Sequence, residues 1–247
     1  MPNIVLTYFP IAGRAEAVRL ALTIGGIAFE DKRVGREDFM SMKEGGRLPF
    51  GQLPVIEVDG KMYGQSLAML RYAGKLSGLY PTDPLEAMKV DEIMDSVNDY
   101  SALLGPSMRE KDDAKKKEMR EALAAGPIPT ALANLSKQLE ANGSTGYFVG
   151  SSLTIADVLA SGITSQLKSG IIDHLDGEGI LASFPLIQKT YDVVQAHAKV
   201  GGNVGCVTDH PVRNNEKHRS ALVVQLDTYR RRTTSSRRTQ RWGKRWL

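Results

Sequence analysis

A chain of 247 residues with 42% hydrophobic and 24% charged side chains can bury the core of one large or two modest domains, which excludes a fibrous or wholly disordered protein. The formal net charge of +4 is segregated: residues 201–247 hold 11 Lys and Arg against 3 Asp and Glu, leaving 21 against 25 in residues 1–200, so a nucleic-acid surface over the whole chain is excluded. The amino terminus lacks a basic stretch followed by an apolar segment, and no apolar run approaches the roughly 18 residues of a membrane span, so a soluble, cytoplasmic protein is expected.

Asn3 to Tyr8 alternates as a strand, with Ile4, Leu6 and Tyr8 on one face, which puts Tyr8 at the strand's carboxyl end. Phe9 to Gly13 is rich in turn formers. Arg14 to Ile24 is helical in composition, with Ala15, Val18 and Leu22 on one stripe and Gly25-Gly26 as its stop. A second strand over Ala28 to Val34 completes a βαβ unit. Val55 to Tyr63 reads as a β-hairpin, because Asp59-Gly60 supplies the positive φ angles of a type I′ turn. Leu53-Pro54 opens it, where the proline suits a tight and even cis turn and the Leu53 backbone is left to pair with an extended peptide. Gln65-Ser66 precede a helical run from Leu67 to Leu76, so Ser66 is the expected N-cap and its surroundings a carboxylate site. A peptide-like, acidic small molecule is implied.

Pro and Asp in residues 79–84 mark a linker, after which helical patterns replace strands. Val90, Ile93, Met94, Val97, Tyr100 and Leu104 keep helical spacing until Gly105-Pro106, where the run is expected to end. Asp112 to Ala125 forms a charged helix; Ile128, Leu132, Leu135 and Leu139 make a further apolar face that stops at Asn142-Gly143. Thr154 and Asp157 have the spacing of a capping box before a helix from Ile155 to about Ser169, and Pro185 suits the first position of the last helix. The expected organisation is a first domain over 1–80, a linker over 81–84, an all-helical domain over 85–200 and a basic tail over 201–247.

The opening NIVLTYF…GRAEAVRL, the segment PFGQLPVIEVDG and QSLAMLRY together resemble the cytosolic glutathione transferases, most closely the sigma-like, prostaglandin-D-synthase-like branch, over residues 1 to about 200. The resemblance implies an α/β thioredoxin-like first domain, an all-α second domain, and glutathione as co-substrate rather than a bound cofactor. Free thiols titrate near pH 8.5, so a transferase must stabilise the thiolate, and a tyrosine hydroxyl aimed at the sulfur can do this by hydrogen bonding. Tyr8 matches the family's catalytic tyrosine. Taken alone, a tyrosine at a strand end is core or rim. Arg14 matches the arginine of the GRAE motif, with a structural arginine at a helix start as the other reading. Gln65 and Ser66 match the pair that holds the γ-glutamyl end, and Leu53, between Gln52 and Pro54, the backbone clasp for the cysteinyl unit. Lys43 matches the lysine that meets the glycine carboxylate. Phe39 stands where the family carries tryptophan and has no indole N–H to donate. Asp99 matches an acidic residue that reaches the partner subunit's glutathione, so a homodimer is implied. Asn98 beside it argues against an interfacial divalent metal.

Cys206 is the single cysteine, which excludes an intrachain disulfide and a Cys-x-x-Cys pair. If the chemistry uses a thiol, a ligand is expected to bring it. His174, His197, His210 and His218 lack metal-ligand spacing. The resemblance implies conjugation of glutathione to hydrophobic electrophiles, with peroxide reduction as an accompanying activity, and with a prostaglandin-type isomerase or a non-catalytic transferase-like binding protein as alternatives. Phe9, Tyr100 and Leu104 are expected in the electrophile pocket. The tail has three readings: a disordered cationic extension, a contact for nucleic acid or anionic membrane through Trp242 and Trp246, and an aberrant end.

Overall fold

In a computed structural model, which describes residues 2–200, β1 (Ile4–Tyr8) is an inner strand of a four-stranded sheet with order β2-β1-β3-β4. A 3-10 turn (Gly13–Ala15) and α1 (Glu16–Ile24) lead to β2 (Glu30–Arg33), which pairs parallel to β1 with Tyr8 opposite Arg33. This strand is shorter than the Ala28 to Val34 expected, since its register against β1 runs only from Glu30 to Arg33. α2 (Arg36–Glu44) follows and carries no apolar period strong enough to be read from sequence. β3 (Val55–Val58) and β4 (Lys61–Tyr63) form the hairpin, with φ of 48° at Asp59 and 82° at Gly60, as the type I′ turn requires. The peptide bond of Leu53-Pro54 is cis.

α3 (Ser66–Ser77) then packs on α1. Its N-cap is Gln65 rather than Ser66: Gln65 adopts φ 71° and ψ 104°, its carbonyl takes the Met69 N–H at 3.0 Å, and Ser66 is already the first helical residue. Everything described after that is helical. α4 (Pro84–Arg109) starts at Asp83, whose carboxylate accepts from the Leu85 and Glu86 N–H groups. It does not stop at Gly105-Pro106. Pro106 removes one backbone donor, but the last turn is held from outside, because the buried Arg120 donates to Ser107 Oγ at 3.4 Å and to the Asp173 carbonyl at 2.7 Å.

α5 (Asp113–Ala125), α6 (Pro127–Ala141), α7 (Ile155–Lys168), the short α8 (Gly177–Ala182) and α9 (Pro185–Val200) complete the described chain. Pro185 does open α9. The two halves share one apolar core running from Ile4, Leu6, Val18 and Leu22 through Met69 and Leu70 to Val90, Ile93, Leu132 and Ile155. They meet closely at Gly74, where a Cβ would lie 2.6 Å from Ile155 Cγ2, and the Ile155 N–H donates to the Leu79 carbonyl at 2.9 Å. The readings made for residues 201–247 lie outside the described residues.

The capping box at the start of α7 is present, and its Asp157 is fully buried. Its carboxylate accepts from the Phe148 N–H and the Thr154 N–H, both at 2.7 Å, and from the Thr154 hydroxyl at 3.0 Å. Burial nevertheless outweighs these bonds and pushes the carboxyl from 3.8 up to about 6. The folded state therefore holds the proton more tightly than the unfolded chain, so this stabilisation is present below about pH 4 and is lost as pH rises through about 6. Asp157→Asn, which presents an N–H to groups that need an acceptor, is expected to cost about 1–3 kcal/mol near pH 5 in urea unfolding. That deficit should narrow as pH rises to about 7. A deficit that widens with pH would contradict this account.

Candidate functional site

Tyr8 ends an inner strand with its ring buried, 7% exposed. Its hydroxyl oxygen accepts the Arg14 N–H at 3.4 Å, and among the described residues its own proton meets no protein acceptor. The backbone turns directly against the ring: at Gly13, with φ +47°, a Cβ would lie 2.8 Å from Tyr8 Oη and 2.9 Å from Cε1. Only glycine fits there without displacing the phenol. The Arg14 side chain, by contrast, is exposed; its backbone is what reaches Tyr8.

From Tyr8 an aromatic row runs along one edge of the site. Phe9 lies 5.5 Å from Tyr8 between centroids and Phe39 5.4 Å from Phe9, the second pair edge-on. α2 places Phe39 and Lys43 one turn apart, and Lys43 Nζ sits 6.0 Å from the Phe39 ring centre. Lys43 is thus brought to the row, and Phe39 supplies a ring face in place of an indole donor. Gly51, where a Cβ would be 3.7 Å from Lys43 Cε, carries the loop past the same side chain. Gln52 is exposed, Leu53 half-buried and Pro54 buried; the β1–β3 ladder ends with Thr7 opposite Val55, so Leu53 lies beyond it.

Gln65 and Ser66 stand at the start of α3. The Phe50 ring lies so close to the backbone of Gly64 that a Cβ there would be 2.6 Å from Phe50 Cδ2, which ties the loop before the hairpin to the approach of α3. Gln65 is exposed and held at positive φ, a conformation that a side chain of this size rarely adopts. No side-chain hydrogen bond caps α3, so its first amides are left for other acceptors, and a helix end of this kind favours an anion.

Asp99 is not brought to these groups. It lies exposed on α4, in a cleft of about 230 Å³ between α4 and α6 that Ser96, Asn134 and Gln138 also line. Tyr100 and Leu104, expected to face an electrophile, are 1% and 2% exposed and belong to the core. Helical periodicity gives the right stripe: Leu104 packs within the core, while Tyr100 also lines the cleft between α4 and α6. Burial raises the Tyr100 hydroxyl well above the usual phenol range, and its oxygen has no hydrogen-bond partner among the described residues. Phe9 stays half-buried beside Tyr8.

One residue went unread in the sequence. Arg19, 3% exposed, sits within α1 and donates to Asp31, to Glu16 and to the carbonyls of Ile11 and Ala12. A lone arginine among apolar positions carries no sequence signal for this. Elsewhere, Asp113, Asp173 and His174 bring ligand-type atoms within 4.8 Å of one another, a grouping that histidine spacing could not reveal. Lys116 at 3.9 Å from Asp113 and 3.8 Å from Asp173, with Arg120 paired to Asp173, already supplies cations there.

Residues 4–75 match the family profile described as glutathione S-transferase, N-terminal domain, and residues 98–201 that of its C-terminal domain. The chain belongs to the glutathione S-transferase family. It is 38% identical to glutathione S-transferase 1 of Ascaris suum over 72% of this chain and 86% of that one. It is also 38% identical to the hematopoietic prostaglandin D synthase of Gallus gallus, over 71% of this chain and 85% of that one, which puts it in the sigma-like branch. The structure resembles that of monomeric Na-GST-3, a glutathione S-transferase of the hookworm Necator americanus, with a TM-score of 0.68 and 28% identity over 86% of this chain and 100% of that one. The chain is therefore a transferase by family and by fold.

The contact between Gly13 and Tyr8 can be tested without ligand. Gly13→Ala must displace the ring, whereas Gly26→Ala, also at positive φ but with nothing within 4 Å of the added methyl, meets backbone strain alone. Gly13→Ala should be the less stable by about 1–3 kcal/mol in urea unfolding. Equal stability of the two variants would mean that the ring is not held by this contact.

Proposed function

We propose that the protein binds glutathione between the Tyr8–Arg14 turn, Lys43 and the start of α3, and that the Tyr8 hydroxyl, keeping its proton, donates a hydrogen bond to the glutathione sulfur and so holds it as thiolate. The observation that carries this is a tyrosine hydroxyl at a strand end, with its proton uncommitted among the described residues and its ring fixed by Gly13. In conjugation the thiolate attacks an electrophilic carbon, a C–S bond forms, the leaving group departs with its electron pair, and the thiol proton passes to solvent. In the accompanying activity the same thiolate attacks a peroxide oxygen, the O–O bond breaks to release an alcohol, and the sulfenic acid formed on glutathione reacts with a second glutathione to give the disulfide and water. The γ-glutamyl end lies at Gln65 and Ser66, the cysteinyl unit pairs with the Leu53 backbone, and the glycine carboxylate meets Lys43.

The natural setting proposed is the cytoplasm, in detoxification of hydrophobic electrophiles. Among the described residues no helix is long and apolar enough to cross a membrane. We further propose a homodimer, in which Asp99 of the partner subunit approaches the glutathione amino group; its separation from the other site groups within one chain, and its exposure on α4, support this. A glutathione-dependent prostaglandin-type isomerase is a second reading, favoured by the 38% identity to a prostaglandin D synthase.

Tyr8→Phe should slow conjugation of a generic aryl halide by an amount on the order of 10-fold or more while glutathione still binds. Ser66→Ala should instead weaken glutathione binding about 5-fold, one hydrogen bond's worth, at nearly unchanged turnover under saturation. Wild-type turnover in the first variant would remove Tyr8 from the chemistry. A wild-type protein that binds glutathione but never conjugates it would turn the reading toward a non-catalytic binding protein.

A further inference from the structure

Arg19 uses its guanidinium in more directions than a structural arginine requires. Nε donates to Asp31 at 3.0 Å and Nη1 to Glu16 at 2.9 Å, which already balances the buried charge. Nη1 also donates to the carbonyls of Ile11 at 3.1 Å and Ala12 at 3.2 Å, the two residues before Gly13. Nη2 is buried and has no oxygen partner among the described residues, while the guanidinium carbon lies 6.0 Å from the centre of the Tyr8 ring. One side chain thus holds the loop that presses Gly13 on the hydroxyl and also sets a cation at the outer reach of the ring's π face. Arg33, which donates to Asp31 at 2.9 and 2.7 Å, fixes the carboxylate that anchors Nε.

We infer that Arg19 is a positioning residue for Tyr8: it fixes the Phe9–Gly13 loop on the phenol and polarises the ring so that the hydroxyl donates more strongly to a bound thiolate. This rests on the thiolate chemistry proposed above, and it adds a buried arginine on α1 to the groups that support Tyr8.

The test is an ultraviolet titration of the thiol of glutathione bound to the full chain, with S-methylglutathione, which has no thiol, as the binding control. Arg19→Lys keeps the charge but replaces the planar five-donor fork with a point donor that cannot span both carboxylates and both carbonyls. It should raise the apparent thiol pKa by about one unit, so that thiolate near neutral pH falls up to about tenfold, while S-methylglutathione binding stays within about twofold. In a Tyr8→Phe background the same substitution should add no further shift, because Arg19 acts through Tyr8. A folded Arg19→Lys protein with the wild-type titration would overturn the inference. So would an equal shift in both backgrounds, or a loss of S-methylglutathione binding that matches the loss of thiolate. If Arg19→Lys does not fold, Asp31→Ala, which frees Nε at a partly exposed position, should give a smaller shift in the same direction; an unchanged titration there also overturns it. A wild-type protein that binds glutathione without lowering its thiol pKa would instead contradict the thiolate reading itself.

Discussion

β1 is paired on both sides, parallel to β2 through Val5–Tyr8 and antiparallel to β3 through Ile4–Thr7, so the backbone that carries Tyr8 is fixed by two ladders. What remains to be fixed is the ring, and the close approach of the Gly13 backbone does that. A phenol free to swing would spend side-chain entropy each time it met a ligand, whereas one held between a strand end and a glycine loses none. The aromatic row through Phe9 and Phe39 and the placement of Lys43 extend from that fixed point. The site is thus built on sheet and helix ends, with the loops 9–13 and 49–54 laid against them.

Electrostatics divide the site into two jobs. The open amino end of α3 and the cation of Lys43 suit the charged ends of a tripeptide, where the demand is recognition and where exposure to water keeps each contact modest. The Tyr8 hydroxyl is buried, where lower dielectric makes one hydrogen bond to a charged atom worth more, as the proposed thiolate role requires. On that proposal binding and activation are separable, because different residues in different environments would carry them.

The parts of the fold legible in the sequence are those with a local physical requirement. Asp59-Gly60 can only be a tight primed turn, Thr154 and Asp157 form a box by spacing alone, and Pro185 suits a first helical position whatever surrounds it. The illegible parts are settled by distant chain. α4 runs through Pro106 because Arg120, a residue of α5, clamps its last turn. Tyr100 and Leu104 occupy the stripe that periodicity assigns, yet spacing cannot tell a core from a ligand wall. Ser66 yields the cap to Gln65 because a positive φ in a non-glycine residue has no sequence signature. Arg19 is hidden for the same reason: its partners Asp31 and the Ile11 and Ala12 carbonyls converge only in three dimensions. Gln65 and Ser66 are legible as a helix start, whereas the roles of Tyr8, Lys43 and Phe39 come only through family resemblance, and the structure brings Lys43 and Phe39 to the Tyr8–Phe9 edge while leaving Asp99 on α4.

The central claim is that the Tyr8 hydroxyl meets the sulfur of bound glutathione. A crystal structure of the full chain soaked with glutathione tests it most directly. The account predicts the sulfur within hydrogen-bond distance of Tyr8 Oη, the γ-glutamyl end at the Gln65 and Ser66 end of α3, and the Gly13 contact retained. Glutathione bound with its sulfur turned away from Tyr8, or seated in another cleft altogether, would contradict it.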